Sequence, residues 1–137
     1  MAAVRTDPWK EGPLMPVATY RLVALDCPDP RALAGFYQAV LGGEVSRGSD
    51  RWYELHVPGG ARIAFQRAED HRPPEWPGGD HDSQQAHLDF EVADIDRAQE
   101  ELLALGAAPL DLDDRGGERD FRVYADPAGH PFCLCRA

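Results

Sequence analysis

What this chain has little of narrows its class before any motif is read. No apolar run approaches the roughly 18 residues that a membrane-crossing helix needs, and the start, Met1-Ala2-Ala3-Val4-Arg5-Thr6-Asp7-Pro8, lacks the apolar stretch of a signal peptide. The expected location is therefore cytoplasmic, with no membrane partner. Basic residues are scarce beside acidic ones, 14 against 24, for a formal net charge of −10. That balance argues against nucleic acid as a partner, because binding it relies on Lys and Arg displacing counterions from phosphates. Lysine occurs once among the 14 basic residues, which reads as a coding bias. Cysteine is limited to Cys27, Cys133 and Cys135, an odd number without CxxC spacing, so neither a disulfide framework nor a zinc ribbon is expected. All three read as reduced thiols. Also absent are GxGxxG, a P-loop and Gx[ST]xG, which removes the usual dinucleotide, nucleotide and serine-hydrolase readings.

What is present is an ordinary globular balance, 43% hydrophobic and 28% charged over 137 residues. That length suits one domain divisible into two half-domain modules. Residues 1–17, with Pro8, Gly12, Pro13 and Pro16, carry no period and read as a flexible N-terminal arm. The domain then spans 18–137, as module one (18–67), a linker rich in Pro, Gly and charge (68–84) and module two (85–137).

The modules repeat one another. Leu22-Val23-Ala24-Leu25-Asp26-Cys27-Pro28-Asp29-Pro30-Arg31-Ala32-Leu33, running on to Leu41-Gly42-Gly43, returns about 65 residues later as His87-Leu88-Asp89-Phe90-Glu91-Val92-Ala93-Asp94-Ile95-Asp96-Arg97-Ala98, running on to Leu105-Gly106-Ala107. Each copy alternates as a strand does, reaches an Asp suited to cap a helix, continues at helical spacing and stops at Leu-Gly. In the first copy strand Thr19 to Cys27 opposes Val23, Leu25 and Cys27 to Leu22, Ala24 and Asp26, and Pro30 opens a helix whose core face is Leu33, Phe36, Tyr37, Val40 and Leu41. Strands follow near Glu44 to Arg47, Arg51 to Val57 and Ala61 to Arg67, with turns at Gly48-Ser49-Asp50 and Pro58-Gly59-Gly60. The second copy gives strand Gln85 to Val92, helix Asp94 to Leu105, and strands Pro109 to Leu112, Phe121 to Ala125 and Pro131 to Arg136. Asp111 to Arg119 reads as a loop. The expected fold class is α+β, two βαβββ modules forming a barrel-like cleft.

On these residues the chain resembles the vicinal oxygen chelate superfamily, in particular its glyoxalase-like and bleomycin-resistance-like members. The resemblance rests on Leu25-Asp26-Cys27-Pro28-Asp29-Pro30, Gly35-Phe36-Tyr37, Leu41-Gly42, Ala64-Phe65-Gln66-Arg67, His87-Leu88-Asp89-Phe90 and Ala125-Asp126-Pro127-Ala128-Gly129-His130-Pro131-Phe132, in that order. It implies the glyoxalase/bleomycin resistance/dioxygenase fold, a cavity between modules and a homodimer. In metal-dependent members four side chains from the first and last strand of each module hold a divalent ion. Those positions correspond here to Leu22, Ala64, His87 and Cys133.

Leu22 and Ala64 have no lone pair to offer, and an imidazole with one thiol falls short of the three protein ligands usual at catalytic zinc. The family metal site is therefore expected to be absent, with no cofactor. Asp26, Asp89 and Glu91 share faces with Leu22 and His87 by strand alternation. His87, Asp89 and Glu91 extend over roughly 13 Å, too far for one ion to take all three, although His87 with one neighbour stays open. Without a metal, His87 reads as a hydrogen-bonding or general-base residue, or as a cavity-wall histidine satisfied by a neighbouring strand. The acids read as a wall for a basic ligand or as a water-facing rim, and Cys133 and Cys135 as inert. Trp52, Tyr53 and Trp76 are the aromatics placed for stacking, with at most one of the first two facing the cleft. Residues His71 to Pro77 read as a loop that closes over the cleft or fixes a dimer, and His71, His81 and His130 lack metal-ligand spacing.

The expected cleft is thus Leu22, Ala24, Asp26, Ala64, His87, Asp89, Glu91 and Cys133. The leading expectation is a small-molecule-binding protein without the family metal, its ligand a cationic or aromatic metabolite or antibiotic. The alternative is a lyase, isomerase or dioxygenase with a divalent metal ion in a rearranged site around His87. A third reading is a dimeric interaction module with no ligand.

Overall fold

Both helices begin where an aspartate satisfies their free N–H groups. In the computed structural model of the protein, which describes residues 16–76 and 83–137, Asp29 accepts from the Ala32 N–H at 3.1 Å and Asp94 from the Arg97 N–H at 3.2 Å. Such caps each stabilise a helix by about 1 kcal/mol. Helix α1 (Pro30–Leu41) follows strand β1 (Val23–Cys27) and precedes β2 (Glu44–Ser49), β3 (Trp52–His56) and β4 (Arg62–Arg67). The same order recurs as β5 (Leu88–Val92), α2 (Ile95–Ala104), β6 (Ala108–Asp111), β7 (Phe121–Ala125) and β8 (Pro131–Arg136). Two four-stranded sheets result, ordered β1-β4-β3-β2 and β5-β8-β7-β6. In each the first strand runs parallel to the last and the remaining pairs are antiparallel. The fold is α+β with two βαβββ modules. Helix α1 stops at Gly42 (φ +75°), and the next residue, Gly43 (φ +93°), leaves no room for a side chain, because a Cβ there would lie 2.1 Å from the His56 carbonyl.

The two sheets share one core. Leu33, Phe36 and Tyr37 on α1 are buried, as their spacing requires. The Tyr37 ring stacks on Phe65 of the first sheet (centroids 5.7 Å apart) and meets Phe90 (6.1 Å) and Phe132 (6.3 Å) of the second edge-on. Side chains on α1 therefore bind the modules together. No helix among the described residues is long and apolar enough to cross a membrane.

Several boundaries differ from the sequence expectation, each for a pairing reason. Strand β1 starts at Val23, not Thr19, and β5 at Leu88, not Gln85, because the parallel ladders begin at the pairs Val23↔Ile63 and Leu88↔Phe132. Strand β2 runs on to Ser49, with a register shift between Arg47 and Ser49 that turns the expected Gly48 turn into a bulge against Trp52. The expected loop Asp111 to Arg119 contains a short 3-10 turn, Arg115–Gly117. Asp114 anchors it by accepting from Arg122 Nε (2.9 Å) and Arg136 (2.6 Å). Of the expected arm only residues 16 and 17 are described, and His81 lies outside the described residues.

Candidate functional site at the module junction

Strands β1 and β5 are edge strands of their sheets, and the cavities of interest lie where these free edges approach. An apolar recess of about 220 Å³ is lined by Val23 and Leu25 of β1, by Tyr20 and Tyr37, by Ala86, His87 and Leu88 at the start of β5, and by His130 and Pro131. A larger, more open vestibule of about 830 Å³ shares Leu25, Ala86 and His130 with it. Its remaining walls include Ala24, Asp26, His71, Arg72, Glu75 and Gln84. Recess and vestibule thus have common walls, and the vestibule is the more polar of the two.

Interactions between the modules hold this junction. The buried Tyr37 hydroxyl donates to Asp126 Oδ2 at 2.6 Å, while Asp126 Oδ1 accepts from the backbone N–H groups of Ala128 (2.8 Å) and His130 (3.0 Å). Burial, then the Asp126 charge, pushes the Tyr37 hydroxyl well above its ordinary pKa, so it stays a donor. His130 Nε2 in turn donates to the Asp26 carbonyl on β1, and His71 Nε2 to the Ala128 carbonyl at 2.8 Å. The two imidazole centroids lie 5.0 Å apart in the vestibule wall. Each ring spends its Nε2–H on a carbonyl, which leaves Nδ1 as acceptor when the ring is neutral.

The residues expected to line the cleft are distributed unevenly. Ala24 and Asp26 line the vestibule, and His87 lines the recess. Ala64 is fully buried, Leu22 half-buried and Glu91 exposed, and these three line neither cavity. His87, Asp89 and Cys133 come together at the start of the second sheet, with His87 Nε2 3.2 Å from Asp89 Oδ1. Burial, then the Asp89 charge and a hydrogen bond to Asp89, pushes the Cys133 thiol up to about 12. Burial, with Asp89 and Glu91, raises Cys135 as well, so neither is an activated nucleophile. Of the aromatics, Tyr53 packs on the core, and Trp52, on the opposite face, donates from Nε1 to Glu54 at 3.0 Å. Sequence reasoning did not single out Tyr37, Val23, Leu25, Ala86 or Asp126 for the site; it gave His130 no role and His71 only a place in the loop expected over the cleft or at a dimer contact. Only the Asp-Pro-x-Gly turn pointed toward Asp126 and His130.

Residues 22–135 match the Glyoxalase-like domain family. The chain belongs to that family. A comparison with curated proteins finds no match. Solved structures share the vicinal oxygen chelate fold at low identity. The fosfomycin resistance protein FosX from Listeria monocytogenes superposes with a TM-score of 0.67 at 17% identity, covering 88% of this chain and 92% of that one. FosX from Mesorhizobium loti gives 0.62 at 18%, covering 88% and 92%. A possible glyoxalase from Bacillus cereus gives 0.61 at 14%, covering 86% and 99%. At two of the four positions that the family resemblance assigns to metal ligands, Leu22 and Ala64 carry only hydrocarbon. The four positions therefore do not fit a four-ligand ion.

Proposed function

We propose that this glyoxalase-like protein binds a small amphipathic molecule at the module junction, with an aromatic or aliphatic group in the recess and a cationic group in the vestibule. The observation that carries the reading is the common wall of Leu25, Ala86 and His130 between an apolar recess and a larger, more polar vestibule. Ligand sites are typically mostly apolar and concave, with a few polar groups fixing orientation. Asp26 in the vestibule wall and the net charge of −10 favour a cation there. Metabolites and antibiotics of that chemistry are the candidate class. A FosX neighbour is described as a complex with Mn(II) and a dihydroxypropylphosphonic acid, which supports small-molecule binding on this fold while its anionic ligand differs from the class proposed here. A homodimer, which the family resemblance implies, is part of the reading and is tested by light scattering.

Isothermal titration of cationic aromatic compounds and their neutral isosteres, with chelator present, tests the proposal. Binding by the cationic set, abolished by Ala86→Trp at the exposed common wall and weakened by Asp26→Asn, is the expected result. No binding by any compound, or binding unchanged in Ala86→Trp, overturns it. The alternative of a metal-dependent lyase, isomerase or dioxygenase draws its support from the cluster around His87.

A further inference from the structure

Asp89 and Cys133 face each other in register on the parallel pair β5–β8, so their side chains emerge side by side on one face of the second sheet. His87, two residues before Asp89, emerges on the same face. One imidazole nitrogen, one carboxylate oxygen and one sulfur lie within 4.8 Å of one another. Cys133, only 5% exposed, forms the floor, whereas the His87 and Asp89 side chains are 37% and 59% exposed.

We propose that His87, Asp89 and Cys133 form a three-ligand site for a thiophilic divalent cation of the zinc class, with its fourth position open to solvent. This set lies wholly within the second module and recruits Asp89, so it differs from the four-position arrangement of metal-dependent members and goes beyond the ligand-binding reading. The donor chemistry is specific. Zinc takes nitrogen, oxygen and sulfur at about 2.0–2.3 Å in a tetrahedron, which places ligand atoms roughly 3.3–3.7 Å apart. The His87–Asp89 separation of 3.2 Å already meets that spacing. The remaining closure, at most about 1 Å from a cluster that lies within 4.8 Å, falls to the exposed His87 and Asp89 rather than to the buried sulfur.

Charge also balances. When the ion binds, the S–H bond of Cys133 breaks, the proton passes to buffer and a sulfur–metal bond forms with no change of oxidation state. The resulting thiolate and the Asp89 carboxylate neutralise the two positive charges, and neutral His87 adds none. Thiolate and imidazole ligation favours zinc over magnesium or calcium, which prefer all-oxygen sites. Solvent at the outer side of His87 and Asp89 supplies the fourth ligand. His87 also lines the recess, so the ion would sit at its rim.

Cobalt(II) is the probe, because its tetrahedral thiolate complexes absorb characteristically. Untagged protein, stripped with chelator and titrated with Co2+, is expected to develop a thiolate-to-metal band in the near-ultraviolet with saturation at one equivalent. Proton release should accompany binding, and Zn2+ but not Mg2+ should displace the colour. Cys133→Ser and His87→Ala should abolish the band, Asp89→Asn should weaken affinity at least tenfold, and Cys135→Ser should leave it intact. Circular dichroism selects the variants that keep the parent fold, and His87→Ala, at an exposed position, guards against failure of the Cys133 variant to fold. No thiolate band, a band that survives Cys133→Ser or His87→Ala, or one lost with Cys135→Ser overturns the site. Since the ligand titration is run with chelator, failure here leaves the junction reading standing, and failure there leaves this one standing.

Discussion

Removing one oxygen atom tests whether the two modules are coupled as the structure indicates. Tyr37→Phe keeps the ring that packs among Phe65, Phe90 and Phe132 but deletes the donor to Asp126. Asp126 is 3% exposed, so water does not readily replace the lost partner. Its Oδ1 keeps the Ala128 and His130 N–H groups, and the whole loss falls on Oδ2. A hydrogen bond to a charged acceptor contributes about 1.5–3 kcal/mol, and an orphaned buried acceptor places the cost in the same range. With a urea slope of about 2 kcal/mol per molar for a domain of this size, the midpoint should fall by roughly 1 M. Equilibrium urea unfolding followed by fluorescence and circular dichroism measures it, and the two probes should shift together if the modules unfold as one unit. The double mutant with Asp126→Asn should show a coupling energy of at least about 1 kcal/mol, since the two groups touch. A Tyr37→Phe cost below about 0.5 kcal/mol, the level of ordinary surface changes, would refute the reasoning.

Three further outcomes follow from the geometry. Arg136, then Arg122, hold the Asp114 carboxyl down to about 2, so its contribution to stability is fully present above the unfolded value near 3.9 and is lost as pH falls through about 2. Asp114→Asn should accordingly cost stability at neutral pH, with the difference from the parent shrinking between about pH 4 and pH 2 in acid-titrated urea melts. Gly129→Ala forces a Cβ to 2.4 Å from Pro73 in the vestibule wall at φ +92°, and should both destabilise the fold by about 1–3 kcal/mol and weaken ligand binding, read by thermal melts and titration. Burial, then Asp126 and the neighbouring acids, raises Cys27 to about 11, so in the Cys133→Ser/Cys135→Ser variant iodoacetamide at pH 8 should label it roughly 100-fold or more slowly than in urea.

The fold was legible because its determinants are local and repeated. Asp29 and Asp94 mark their helices by side-chain chemistry that acts within three residues, and the glycines at 42 and 43 end α1 by a conformation other residues avoid. Alternation assigned Val23, Leu25 and Cys27 to one face and Ala24 and Asp26 to the other, and the burial of Cys27 with the exposure of Ala24 and Asp26 follows that assignment. Strand starts were overextended because alternation persists in Thr19 to Leu22, which pair with no strand among the described residues. Arg119, Arg122 and Arg136 looked like ordinary charged positions, yet 8 to 22 residues of chain separate them from the acids they meet at Asp111 and Asp114. No local pattern encodes such pairings.

The site was harder to read for a related reason. Alternation says which face a side chain takes, but at an edge strand the face does not decide its surroundings. Val23 and Leu25, which alternation sets opposite the expected cleft residues, become recess walls because β1 lies at the edge of its sheet and the other module arrives there instead. The same blindness affected Asp89. Measured along β5 alone, His87, Asp89 and Glu91 spread too far to act on one ion, and that argument holds for the three together. What it omits is the step across the sheet, where neighbouring strands lie about 4.8 Å apart and parallel register sets Cys133 beside Asp89. A ligand set built across two strands needs only His87 and Asp89 from the first. The family positions pointed to Cys133 and His87, while alternation pointed to Asp89. Only the pairing of β5 with β8 makes them a single cluster, and that pairing is a property of the folded sheet rather than of any segment within it.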